Sequence, residues 1–343
     1  MNTLVHIRLR QESIMRKNRR AKRKRISKNK RMKKKVFRNV KPKDSFIISP
    51  TEVLAPRVFA LENLDSVVRF INDTEKQCGV ENSKSLKVNL DEVIAIDFYA
   101  ISLMLSMLNR LSHKHINYWG TYPDNVDARN FIIDSGFLNV MKSNIRKPAN
   151  QRFGNQIFMV GKDSVDSHRI GKAVRESIAF ITGTEGAYPP VYDNMLEICA
   201  NSVEHANQYS VDKNWLVSIS FEEDKVHYIL TDTGLGILTT LKRKRSQKFK
   251  EVVTAKSDSE ILYDVFHKVY QSVTGEINRH KGLPIILESF VEGFVSNLMV
   301  LTNKVFYDFD TNTSVELQHG FKGVLYSWTV SKDNYDNWFK SLE

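Results

Sequence analysis

Residues 188–208, YPPVYDNMLEICANSVEHANQ, place a carboxylate and a carboxamide four residues apart, Glu197 and Asn201, with Glu204 and His205 following. At 100° per residue Glu197, Asn201 and Glu204 fall on one flank of a helix, beside a stripe of Leu196, Cys199, Ala200 and Val203. Such a pair suits metal chemistry: the amide oxygen can enter a magnesium shell while the carboxylate polarises a water. Alone, Glu-x-x-x-Asn is also a common surface-helix pattern. Further on, Asp232-Thr233-Gly234-Leu235-Gly236-Ile237 closes an apolar run. An Asp at a strand end followed by two glycines lets backbone approach a planar base, while the carboxylate accepts from an exocyclic amine. An ordinary Gly-rich turn has the same composition. A third stretch, TGEINRHKGLPIIL over 274–287, puts Gly282 and Leu283 at the opening of an apolar helix. Exposed amides at such a helix start suit phosphate, and Arg279, His280 and Lys281 add positive charge.

These residues need a scaffold. Pro189 and Pro190 suit a helix entry, with Asp193 as its cap. Residues 215–222 (WLVSISFE) and 226–231 (VHYILT) read as adjacent antiparallel strands, the second running into Asp232. Further strands are expected at 295–302, 304–309 and 324–330. Upstream, 46–60 reads as extended pieces broken by Pro50 and Pro56, and 61–77 as a helix carrying Leu64, Val67, Val68 and Ile71. A strand at 86–90 and an apolar stretch at 93–96 lead to Asp97, an expected N-cap for an apolar helix over 99–111. A strand at 116–119 and a helix at 125–135 stopping at Gly136 follow. Strands alternating with helices imply a mixed α/β (α+β) fold.

The chain has 343 residues, with 51 Lys+Arg against 39 Asp+Glu and 41% hydrophobic residues. Its charge is uneven. Residues 1–43 hold 19 Lys+Arg and one acid, Glu12, so the formal net charge of +12 belongs entirely to this arm. Self-repulsion and low hydrophobicity argue for a disordered arm, and its composition fits contact with RNA or DNA, where displaced counterions drive binding. Two cysteines, Cys78 and Cys199, cannot make a disulfide framework, which points to a reducing, cytoplasmic setting. No stretch of 18 apolar residues exists, so no membrane span is expected. The polar residues 144–154 read as a linker. Three segments result: a basic arm (1–43), an α/β domain (44–150) and a second domain (151–343).

The order LKVNLDEVIAIDFYAISLMLSMLNRL, then INYWGTYPDNVDARNFIIDSGF, resembles a STAS-type domain, the fold of anti-sigma-factor antagonists. The resemblance implies a protein partner for this domain; Asp97-Phe98-Tyr99-Ala100 stands where the family has a phosphorylatable Ser, and Ser102 lies one turn on. In the second domain the joint order is Glu-x-x-x-Asn, two strands, Asp-x-Gly-x-Gly-Ile, an insertion, then Lys-Gly-Leu before a helix. It resembles the Bergerat-fold ATP-binding domain of the GHKL superfamily, a two-layer α/β sandwich.

That resemblance implies ATP and Mg2+ as ligands. Glu197 becomes the general base where hydrolysis occurs, and Asn201 the magnesium ligand. Asp232 would bind the adenine amino group, with Gly234, Gly236 and Ile237 shaping the base pocket. Arg279, Lys281, Gly282 and Leu283 would lie at the phosphates, below a lid spanning about 238–281. The second glycine box is sparse, and no phosphoacceptor histidine motif precedes the domain. The expected function is an ATP-dependent regulatory switch or slow ATPase whose arm contacts nucleic acid; a homodimer is compatible. Two alternatives stand beside it: an anti-sigma-type protein-serine kinase or sequestering factor, and a nucleic-acid-binding adaptor with a decayed ATP site.

Overall fold

The computed structural model describes residues 50–80, 84–137, 156–161, 164–205, 214–243, 256–267 and 282–343. The basic arm, the linker at 144–154, and Arg279, His280 and Lys281 lie outside these residues. The described chain has a mixed α/β fold, and Ile48–Glu343 is one compact unit.

The amino-terminal module is a parallel α/β layer. β1 (Thr51–Leu54), β3 (Ser85–Asn89) and β5 (Asn117–Gly120) form a parallel sheet in the order β1-β3-β5. β2 (Val58–Phe59) pairs in parallel with β4 (Ala95–Ile96). Three helices complete it: α1 (Leu64–Val80), α2 (Phe98–His113) and α3 (Val126–Asp134). Asp97 caps α2 as its position suggested: Oδ1 accepts from the Ala100 amide at 2.8 Å and Oδ2 from the Leu61 amide at 2.7 Å. One residue thus starts the helix and fastens the preceding segment to it.

The carboxy-terminal module is antiparallel. β6 (Gln156–Gly161), β7 (Trp215–Glu222), β8 (Lys225–Asp232), β9 (Ser296–Asp308) and β10 (Thr313–Ser331) lie in the order β6-β7-β8-β10-β9. Every neighbouring pair runs antiparallel. The helices are α4 (Ser167–Thr182), α5 (Pro189–His205), α6 (Ile237–Arg243), α7 (Asp258–Phe266), α8 (Gly282–Val291) and α9 (Lys332–Lys340).

Both faces of this sheet are covered. One face buries Val226, Tyr228 and Leu230 of β8 and Trp215, Val217 and Ile219 of β7 with Ile170 and Val174 of α4 and Met195, Ile198 and Cys199 of α5. The other buries Leu216, Ile229, Leu301 and Leu325 with Ile101, Leu105 and Leu108 of α2. That explains why β7 is buried over all but its last residue, although its sequence alternates apolar residues with Ser218 and Ser220. The serines face α2, where small side chains let a helix approach. Tyr99 of α2 bonds Ser327 of β10 at 3.0 Å across the same interface.

Several details differ from the sequence reading. The strands expected at 295–302 and 304–309 are one continuous β9, and β10 starts at Thr313 rather than 324. Asp193 sits inside α5, which already begins at Pro189. The buried face of α5 is Val191, Asn194, Met195, Ile198, Cys199, Ser202 and Val203, while Leu196 and Ala200 are half-buried. The insertion at 238–281 is not wholly a lid: α6 and α7 bury Leu238, Leu241, Ile261, Leu262 and Phe266 in the main core. Within its described part, Lys242 of the basic cluster pairs with Asp258 at 2.5 Å.

Candidate functional site

Asp232 ends β8, where alternation puts its side chain on the face of Val226, Tyr228 and Leu230, toward α5. Its Oδ1 accepts from two amides, Gly234 at 3.1 Å and Val324 at 2.9 Å. Both bonds use the same oxygen, which leaves Oδ2 outside them. The residue keeps a partly accessible edge, yet enough protein surrounds its carboxyl that burial pushes its pKa from an ordinary 3.8 to about 6. The two amides and the Arg110 charge act in the opposite direction.

The backbone around it is fixed by glycines and by an asparagine. Gly323 has φ +128°, and a Cβ there would lie 2.0 Å from the Asp232 carbonyl oxygen, so only glycine lets β10 come this close. Gly236 has φ +83°, and a Cβ would meet Asn303 Oδ1 at 2.5 Å. Asn303, itself at φ +54°, organises the loop. Its Nδ2 donates to the Leu235 carbonyl at 3.0 Å and to Thr239 Oγ1 at 2.7 Å. Its Oδ1 accepts from the Leu238 amide at 3.1 Å, satisfying a donor in the first turn of α6. The Ile237 amide donates to Thr302 Oγ1 at 2.8 Å. Gly234 is less constrained, since a Cβ there would sit 3.4 Å from Asp232 Oδ1.

α5 approaches this loop from one side. Ser202 Oγ donates to the Asn214 carbonyl at 3.4 Å, and that carbonyl also accepts from the Thr233 amide at 3.1 Å. The carboxy-terminal part of α5 is therefore tied to the strand end bearing Asp232. Cys199 is fully buried there: burial first, and the Asp232 charge second, push its thiol pKa up. Glu197 and Asn201 are both half-buried on the neighbouring flank.

α8 supplies the other wall. Tyr188, just before α5, donates to the carbonyl of Phe294, just after α8, and Ser289 Oγ donates to Asn194 Oδ1 at 3.3 Å. These two ties make the helices antiparallel. Moving seven residues back along α8 from Ser289 reaches Gly282, and seven forward along α5 from Asn194 reaches Asn201. At about 1.5 Å per residue the start of α8 thus comes beside the Glu197–Asn201 part of α5. Leu283 is buried in the core cluster of this module.

Of the residues singled out from the sequence, those that the structure describes gather at one end of the sheet, while Arg279 and Lys281 lie outside the described residues. Asp232, Gly234, Gly236 and Ile237 form the loop, Glu197 and Asn201 lie on α5, and Gly282 opens α8. Three contributors were not singled out: Thr302, Asn303 and Gly323. Asn303 and Thr302 had a signal, two polar residues inside the apolar run VLTNKVF. These donors could hold an amine on the carboxylate oxygen, a hard cation on the amide oxygen and phosphate at the helix start. Among the described residues no group of three or more His, Cys, Asp or Glu is placed to hold a metal by protein ligands alone. No helix among them is long and apolar enough to cross a membrane. Comparison of the chain with protein-family models and with curated proteins finds no match.

Proposed function

We propose that this protein is an ATP- and magnesium-binding regulatory switch of the GHKL type. Asp232 Oδ2 accepts from the adenine amine, Asn201 contributes its amide oxygen to magnesium, and the start of α8 at Gly282 takes phosphate. Glu197 positions water for slow hydrolysis, which resets the switch. The basic arm, residues 1–43, contacts nucleic acid. The observation that carries this reading is Asp232: a strand-end carboxylate locked through one oxygen by two amides, with the other oxygen at an accessible edge beside α5. The antiparallel ties between α5 and α8 support it by bringing the start of α8 toward Glu197 and Asn201.

Titration with Mg·ATP and a turnover assay test it. Asp232→Ala is expected to lose binding, while Glu197→Ala keeps binding and loses turnover. Equal ATP affinity in the wild type and Asp232→Ala removes the assignment.

A further inference from the structure

Strand β9 breaks its regularity level with Asp232. Thr302 of β9, Val324 of β10 and Asp232 of β8 form one row across the sheet. The next residue of β9, Asn303, has φ +54°, a left-handed conformation inside a 13-residue strand. Its partner is Phe321, so Lys322 and Gly323 bulge out of the β9–β10 ladder. Among L-residues Asn is one of the few that tolerate such a φ. Bulges concentrate beside functional sites, where they re-aim a side chain.

The re-aimed side chain is that of Asn303, and every bond it makes across to the loop falls on residues 235–239. Its Nδ2 uses both hydrogens, one on the Leu235 carbonyl at 3.0 Å and one on Thr239 Oγ1 at 2.7 Å. Its Oδ1 accepts from the Leu238 amide at 3.1 Å and the Thr239 amide at 3.4 Å. Thr302 works beside it: Oγ1 accepts from the Ile237 amide at 2.8 Å and donates to the Gly323 carbonyl at 3.4 Å. Gly236, at φ +83°, lies so close that a Cβ would meet Asn303 Oδ1 at 2.5 Å. Two side chains of β9 therefore hold the stretch that runs from Asp232 into α6. The bonds to Leu235 and Thr239 need an amide: a carboxylate of the same shape has no hydrogen to give the Leu235 carbonyl.

We propose that Asn303 is a positioning residue of the nucleotide site: it holds the loop after Asp232 in the one arrangement that receives the base. This rests on the nucleotide reading and deepens it. The same side chain grips the first turn of α6, and Lys242 of α6 pairs with Asp258 of α7 at 2.5 Å. Closure of the loop on a base is thus passed to the insertion through Asn303.

The test uses the full chain with Asn303→Gly, which accepts the left-handed φ and removes every side-chain bond, and Asn303→Asp, which keeps the shape and removes both donors. Asn312→Gly is the control, the same exchange at another left-handed position, φ +52°, in the β9–β10 turn. Titration calorimetry with Mg·ATP is expected to show about tenfold weaker binding in both Asn303 variants, the factor for a loop in its competent form about a tenth of the time. The control should bind as the wild type does. Hydrogen exchange in the absence of nucleotide should be at least about tenfold faster at the Ile237 and Leu238 amides of Asn303→Gly, with the Leu230 amide of β8 unchanged, which separates a loosened loop from a weakened fold. Wild-type ATP affinity in either folded Asn303 variant overturns the inference, as does wild-type exchange at Ile237 and Leu238. Faster loop exchange in Asn303→Gly, together with a wild type that binds no ATP, upholds the hold of Asn303 on the loop and refutes the proposed function instead.

Discussion

Asp232 should be a residue the fold would do better without. Its carboxyl is pushed from 3.8 to about 6 chiefly by burial, so the native state holds this proton to higher pH than the unfolded chain does. The sign follows: the stability contributed by this group is fully present below about pH 4 and is lost as pH rises through about 6. The difference of about two pH units, at about 1.4 kcal/mol each, makes ionised Asp232 cost about 3 kcal/mol at pH 7. Attraction to Arg110 and the two amide bonds are already within that figure, because the value of about 6 is their net result with burial. Asp232→Asn keeps an acceptor for the Gly234 and Val324 amides and removes the charge. The variant should therefore be about 2–3 kcal/mol more stable than the wild type at pH 7 and should lose adenine-nucleotide affinity. Urea denaturation at several pH values between 4.5 and 8 measures this, and the gap should close as pH falls below about 6. A variant no more stable than the wild type at pH 7, or a gap independent of pH, would refute the reasoning.

Two further outcomes follow from the same site and from the arm. Gly323→Ala should destabilise by about 3 kcal/mol or more, because backbone meets backbone at a positive φ, whereas Gly234→Ala should cost under about 1 kcal/mol; equal costs by chemical denaturation would contradict the geometry. Removal of residues 1–43 should abolish the steep salt dependence of nucleic-acid binding, and an unchanged slope would free the arm from that role.

What the sequence made legible was the part with local signals. β7 and β8 are alternating apolar runs, α2 is an apolar stretch behind a capping Asp, and α5 opens on a double proline. Each appears within a few residues of where those signals put it. β10 was half missed because Thr313–Lys322 is polar and largely exposed: it is held as strand by pairing with β9, a non-local cause. α9 was missed because its capping box, Ser331 with Asn334, opens a short polar helix whose Tyr335 and Trp338 pack on Tyr188, far away in sequence. The site divides in the same way. Asp232, Gly234 and Gly236 share one hexapeptide, but Gly323 and Asn303 reach it only through the sheet register. The stripe assigned to α5 was rotated because α4 and α8 bury flanks that a two-layer wheel leaves open.

The most direct test of the account is a solved complex of the full chain with Mg2+ and a non-hydrolysable ATP analogue. The account expects the adenine amine within hydrogen-bond distance of Asp232 Oδ2, the metal on Asn201 and a phosphate at the start of α8. A nucleotide bound elsewhere, or an Asp232 facing no ligand in a saturated complex, would contradict it.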